Sequence, residues 1–202
     1  MNRPERTNPF ALVKAADYSD RQINDLWVEL GATVIDAIIE PQGRISKFIL
    51  GSKGSGKTHL LRYHSYPVIR LRRPSAKGIT IVASTGYLAT FLRTTGMDAA
   101  RFEWDDNPKK WQQLFGVYLE LRLAEGLLEA LRDIEETSAA RTFDDMRLLV
   151  ALRSALVGDS LVGISNLGQL HAWVVAERRT IDDAINQAAF TEELKVRIPF
   201  SL

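Results

Sequence analysis

The residues Gly51-Ser52-Lys53-Gly54-Ser55-Gly56-Lys57-Thr58 have the spacing Gly-x-x-x-x-Gly-Lys-Thr, which is the chemistry of a phosphate-binding loop. Phe48-Ile49-Leu50 before it predicts a short apolar strand, and His59-Leu60-Leu61 after it opens an apolar-periodic helix. In that setting the loop amides point inward at a polyphosphate, and the helix N-terminus adds partial positive charge. Gly51, Gly54 and Gly56 permit the tight backbone and its close approach to phosphate. The expected nucleotide-binding set is Gly51, Ser52, Lys53, Gly54, Ser55, Gly56, Lys57, Thr58 and His59. Lys57 is the expected catalytic residue, reaching the β- and γ-phosphates, and the Thr58 hydroxyl is the expected protein ligand of Mg²⁺. ATP with Mg²⁺ is the ligand this predicts. The bland alternative is a glycine-rich turn with a surface lysine.

A strand must lead into such a loop and a helix must leave it. Ile79-Thr80-Ile81-Val82-Ala83, rich in β-branched residues, predicts a second strand, and Leu194 to Phe200 alternates like a third. Ser19-Asp20 can cap a helix through Ile23, Leu26, Trp27 and Leu30, and Pro67 should kink or stop the helix after Thr58 near Tyr66. From Asn107 the pattern changes to long helices. One carries Trp111, Leu114, Phe115, Tyr118, Leu121, Leu128 and Leu131, with Leu119, Leu123 and Leu127 widening its apolar face to burial on more than one side. A second covers Thr142 to Val157 and a third Asn166 to Phe190. The expected fold is α/β: a P-loop NTPase-type parallel sheet flanked by helices, with a helical insertion. It is read as one nucleotide-binding domain over 1–202, with an N-terminal arm and helices at 1–44, a P-loop core at 45–100, a helical region at 101–190 and a return strand at 191–202.

Composition narrows the classes. The 202 residues suit one α/β domain with a full core, and the net charge of +1 argues neither for nor against nucleic acid. Cysteine is absent, which excludes a disulfide framework and a cysteine-based zinc site. The N-terminus lacks an apolar run and no stretch approaches a membrane span, so a soluble cytoplasmic protein without a membrane partner is expected.

Other chemistry-bearing residues have plainer readings beside the sharp ones. Lys53 can touch phosphate or stand in solvent. His59 and His64 lack paired ligands, which favours helix packing over metal binding. Arg70, Arg72 and Arg73 can form a patch for a nucleic-acid backbone, or simply complement a helix C-terminus. Lys109 and Lys110 sit where a helix dipole disfavours cations, and a solvent-screened pair accounts for them. Trp111, Phe115 and Tyr118 read as core rather than as a stacking platform.

Three blocks carry a family resemblance: Asn8-Pro9-Phe10 with Tyr18-Ser19-Asp20 and the Trp27 helix; Lys47 through Tyr63; and Ile181-Asp182-Asp183-Ala184-Ile185-Asn186. Together they resemble the N-terminal part of bacterial AAA-type P-loop ATPases described as origin-recognition-complex-like. The resemblance implies an ATP-binding module of a larger protein, one acting on DNA or in defence against phage, and an N-terminal segment around Asn8, Pro9 and Phe10 lying against adenine; a hydrophobic anchor of the N-terminal arm is the equal alternative for that segment. It also implies a homo-oligomer or larger complex, with nucleic acid as a further partner that nothing in the residues supports. Hydrolysis in this class needs an acidic residue at the end of an apolar strand to hold Mg²⁺ and polarise water. No stretch here fits; Leu156-Val157-Gly158-Asp159 is nearest, at an expected helix end. The expectation is therefore an ATPase module whose acidic strand lies beyond Leu202. A small P-loop kinase and a non-enzymatic, nucleotide-dependent interaction module are the competing functions.

Overall fold

A computed structural model describes residues 14–29, 31, 38–40, 43, 45–94, 108–138, 144–153 and 161–191. Seven helices are described: α1 Asp20–Asp25, α2 Lys57–Tyr63, α3 Tyr66–Arg72, α4 Gly78–Thr85, α5 Pro108–Thr137, α6 Asp145–Arg153 and α7 Leu167–Thr191. The chain divides into two compact units, Met1–Ala89 and Thr90–Leu202. The expected segments at Asn8–Phe10 and Leu194–Phe200, and the acidic candidate Asp159, lie outside the described residues.

Among the described residues there is no strand and no sheet, which overturns the parallel-sheet α/β fold expected from the sequence. Phe48-Ile49-Leu50 is neither strand nor helix, and both Phe48 and Leu50 are 90% exposed. Ile79-Thr80-Ile81-Val82-Ala83, expected as a strand, lies inside α4. Burial explains why. A strand would place Ile79, Ile81 and Ala83 on one face. Instead Gly78 and Ile81 are buried, Val82 and Thr85 half-buried, and Ile79, Thr80, Ala83 and Ser84 exposed, a spacing of three and four residues. Helix propensity penalises β-branched residues by only about 0.5 kcal/mol each, so tertiary packing decides. The Ser84 and Thr85 hydroxyls donate back to the Ile81 carbonyl at 2.8 and 3.0 Å, and Gly86, with φ of 75°, ends the helix.

In the first unit, α1 packs on α2 and α3, α2 packs on α3, and α3 packs on α4. The buried apolar residues are Ile23, Leu60, Tyr66, Val68, Ile69 and Ile81. Ser19 starts α1 with a complete capping box: its hydroxyl accepts from the Gln22 amide, and the Gln22 side chain accepts from the Ser19 amide. The proline break falls where expected in kind. α2 stops at Tyr63, and Pro67 takes the first turn of α3, where a missing N–H costs nothing. The Tyr66 amide donates to the Ala89 carbonyl at 2.8 Å, closing the unit.

In the second unit, the long helices appear as the periodicity predicts. α5 has 30 residues and α7 has 25. They run antiparallel, since His171 stands by Arg132 and Glu129 while Arg178 stands by Glu125. Their shared core holds Trp111, Leu114, Val117, Tyr118, Leu121 and Leu128 of α5 against Leu167, Leu170, Val174, Ile181 and Ile185 of α7, with Leu149 of α6 and Leu161 beside them. Asn166 caps α7 by accepting from the Gln169 amide at 2.9 Å. The widened face fails at one place: Leu123 and Leu127 are 45% and 42% exposed, so α5 is not buried on a second side there.

The helical reading of α4 gives an expected outcome. Ile81→Ala should lower stability by about 3 kcal/mol and Ile79→Ala by less than about 1 kcal/mol, measured by urea unfolding. Equal costs would restore the alternating strand.

Candidate functional site: the phosphate loop and the helix that leaves it

The loop Gly51–Gly56 is held by its own lysine. Lys57 Nζ donates to the carbonyls of Gly51 at 2.6 Å and Ser52 at 2.8 Å, and to Ser55 Oγ at 3.2 Å. The Ser55 amide donates to the Ser52 carbonyl at 3.2 Å, which closes the turn beneath Lys53. Gly54, with φ of 87°, adopts the left-handed conformation that glycine favours, and Gly51 and Gly56 are constrained as well. A Cβ on Gly51 would stand 2.7 Å from Ser55 Oγ, and Gly56 takes φ of 83° as it turns the chain into α2.

Gly56 is the N-cap of α2 and offers no side-chain cap. The first intrahelical bond there runs from the Leu60 amide to the Gly56 carbonyl at 2.8 Å. The amides of Lys57, Thr58 and His59 therefore have no acceptor within the helix and open toward the loop. Lys53 stands exposed at the tip, and Thr58 is half-buried in the first turn. Two lysines and a row of amides suit a polyanion and nothing cationic. Of the hydroxyls in the set, that of Thr58 is the one expected to serve Mg²⁺, which would take its remaining ligands from water and the anion itself, as this ion ordinarily does. No group of three or more His, Asp or Glu side chains suited to a metal occurs among the described residues.

The structure places Gly51, Ser52, Lys53, Gly54, Ser55, Gly56, Lys57 and Thr58 in one loop and the first turn of α2. His59 behaves differently. Its amide lies at the loop, but its ring turns away and meets the Ile23 carbonyl at 2.7 Å. Arg62, one turn further along α2, donates to the carbonyls of Ala15 at 2.8 Å and Tyr18 at 2.7 Å, and to Asp20 Oδ1 at 2.6 Å. Tyr63, at the end of α2, is sandwiched. The Trp27 ring lies flat on it, with centroids 3.9 Å apart and planes 9° from parallel, and the Arg72 guanidinium carbon is 3.8 Å from the same centroid. Two neighbours that close must occupy opposite faces. His64 meets both Trp27 and Tyr63 edge-on.

Sequence reasoning missed the contacts of His59 and Arg62 because their partners lie 36 to 47 residues away. The available signal was the run His59, Arg62, Tyr63, whose spacings of three and four place polar and aromatic groups on one face of α2. The arginines expected as a possible nucleic-acid patch are also committed internally. Arg70 donates to the carbonyls of Arg73, Pro74 and Ala76, Arg72 donates to the Tyr63 carbonyl, and Arg73 reaches the Ser84 hydroxyl. Arg70 closes the C-terminal end of α3, as the dipole argument favours, while Arg72 closes the end of α2 and Arg73 ties α3 to α4.

A family model described as ORC-CDC6-like matches residues 8–202. The chain belongs to the ORC-CDC6-like family. That family relates it to the AAA-type ATPases and makes it an AAA-type ATPase-related, nucleotide-binding module. No curated protein and no solved structure matches the chain. No helix of the described residues is long and apolar enough to cross a membrane.

In this ORC-CDC6-like protein the second unit carries an open groove of about 320 Å³, lined by Phe91, Leu92, Arg122, Glu125, Glu129 and Arg178. Its charges balance. Arg178 is already held by Glu125 at 2.7 Å and by Asp182 at 2.8 Å. Burial alone would lower the Arg178 pKa; the hydrogen bond and charge of Glu125, with the charge of Asp182, raise it above its ordinary value. The guanidinium is a fixed structural cation rather than a titrating one, and the groove offers an anion no counterpart to the loop.

Arg62 is the tie that holds residues 15–20 on α2. Arg62→Ala should cost about 2 kcal/mol in urea unfolding, because its charged hydrogen bonds are made by a side chain only 12% exposed. Arg21→Ala is the matched control. That side chain is 86% exposed with Asp25 at 3.9 Å, and no measurable change is expected.

Proposed function

We propose that this chain binds Mg-ATP through Gly51–Thr58 as the nucleotide-binding module of an AAA-type ATPase. The observation that carries the reading is the position of Lys57, whose ammonium bridges the Gly51 and Ser52 carbonyls across the loop mouth. A phosphate oxygen entering there offers a charged acceptor in place of two neutral carbonyls, and a charge-assisted bond is roughly twice as strong. The ammonium therefore leaves its own loop for the ligand without crossing a long distance. The amides of Lys57, Thr58 and His59 supply the remaining donors, and Lys53 adds a second positive charge at the tip. When bound, Mg²⁺ would neutralise phosphate charge and use the Thr58 hydroxyl as its protein ligand. Membership of the ORC-CDC6-like family supports nucleotide as the polyanion, and complex formation as the setting in which the module works.

A thermal melt with and without Mg-ATP tests this. At about one hundred times Kd the parent chain should gain about 2.7 kcal/mol of stability, seen as a rise in Tm. Lys57→Ala should show no ATP-dependent rise while keeping its helical circular dichroism. An equal rise in both proteins would remove the loop from consideration.

A further inference from the structure

His59 is the third residue of α2 and directly follows Lys57 and Thr58. A carbonyl only accepts, so the 2.7 Å contact with Ile23 requires that His59 Nε2 carries the proton and donates it. Ile23 lies in the last turn of α1, where carbonyls lack intrahelical donors, so the imidazole caps that helix from outside. The same ring is edge-on to Tyr18, with centroids 6.4 Å apart, and tilted on Trp27 at 5.7 Å. Tyr18 precedes the N-cap of α1 and Trp27 follows its C-cap. One ring therefore touches the segment before, within and after α1.

Its backbone has a second duty. The His59 amide is among the donors that open toward the phosphate loop, so an anion held there fixes the backbone of the first turn. Fixing that turn fixes the Cα–Cβ direction of His59, and with it the aim of the ring at Ile23. We propose that His59 is a positioning residue that links occupancy of the phosphate loop to the docking of residues 18–27 on α2. The proposal rests on the reading of the loop as a nucleotide site. Linkage is reciprocal: if nucleotide tightens the docked segment, then loosening the segment weakens nucleotide by the same factor. A single neutral hydrogen bond corresponds to a change of roughly threefold to tenfold in either equilibrium.

Amide hydrogen exchange of the full chain, with and without Mg-ATP, reads both ends of the link. In the parent, nucleotide should slow exchange in peptides covering 51–60 and also in peptides covering 20–29. His59→Phe keeps an aromatic ring against Tyr18 and Trp27 and removes only the donor. It should still bind Mg-ATP, with Kd raised roughly threefold to tenfold, and still protect 51–60, while the nucleotide-dependent slowing at 20–29 disappears. His59→Gln, which returns an N–H donor, should recover part of it. A histidine with a merely structural role would give faster exchange at 20–29 in His59→Phe with the nucleotide-dependent ratio unchanged, and that result overturns the proposal. Protection in the parent confined to 51–60 also overturns it and leaves the nucleotide site standing. A parent that does not bind Mg-ATP overturns the nucleotide reading and the link together.

Discussion

Helices of six to eight residues do not persist in water by themselves, because nucleation is costly and too few hydrogen bonds follow it. Every described helix of the first unit is of that size. Their existence depends on contacts between them: α3 packs on each of the other three, and α2 supplies polar and ring contacts to the segment before it. Leu60 enters the buried core, Arg62 gathers the carbonyls of Ala15 and Tyr18, and Tyr63 is clasped between Trp27 and Arg72. The same seven residues begin at the phosphate loop. Stability and the proposed ligand site thus share one short helix: its first turn borders the Gly51–Gly56 loop, and the flank bearing His59, Arg62 and Tyr63 holds the preceding segment.

The second unit solves the same problem differently. α5 and α7 are long enough to bury a continuous stripe from Trp111 to Leu128 against Leu167 to Ile185. Among the polar contacts there is Arg178 between Glu125 and Asp182. Breaking such a partly buried triad would leave two carboxylates facing each other, so its value lies in holding register between the antiparallel helices more than in net stabilisation. The first unit is latched by hydrogen bonds and rings; the second is zipped by aliphatic packing.

What the sequence made legible follows that division. The phosphate loop could be read because its chemistry is local: three glycines, a lysine and a threonine within eight residues. The long helices could be read because thirty residues give periodicity time to declare itself. Ile79-Thr80-Ile81-Val82-Ala83 could not. Five β-branched and small residues satisfy either period, and the outcome was set by Ile81 finding the core of the first unit. Phe48-Ile49-Leu50 was read as a strand from its apolarity, yet apolarity cannot supply hydrogen-bonding neighbours, and none is present among the described residues. The commitments of His59 and Arg62 were hidden for a further reason. Each partner lies a full helix and a loop away in the chain, so no window of sequence contains both ends.

The bare approach to the loop has a colloidal consequence. Ile45, Phe48 and Leu50 are 83%, 90% and 90% exposed, and Phe48 to Leu50 runs without regular structure. An exposed apolar run attracts its own kind, and Lys47 beside it is already paired with Glu40. The protein alone in solution should therefore be limited by self-association before it is limited by unfolding.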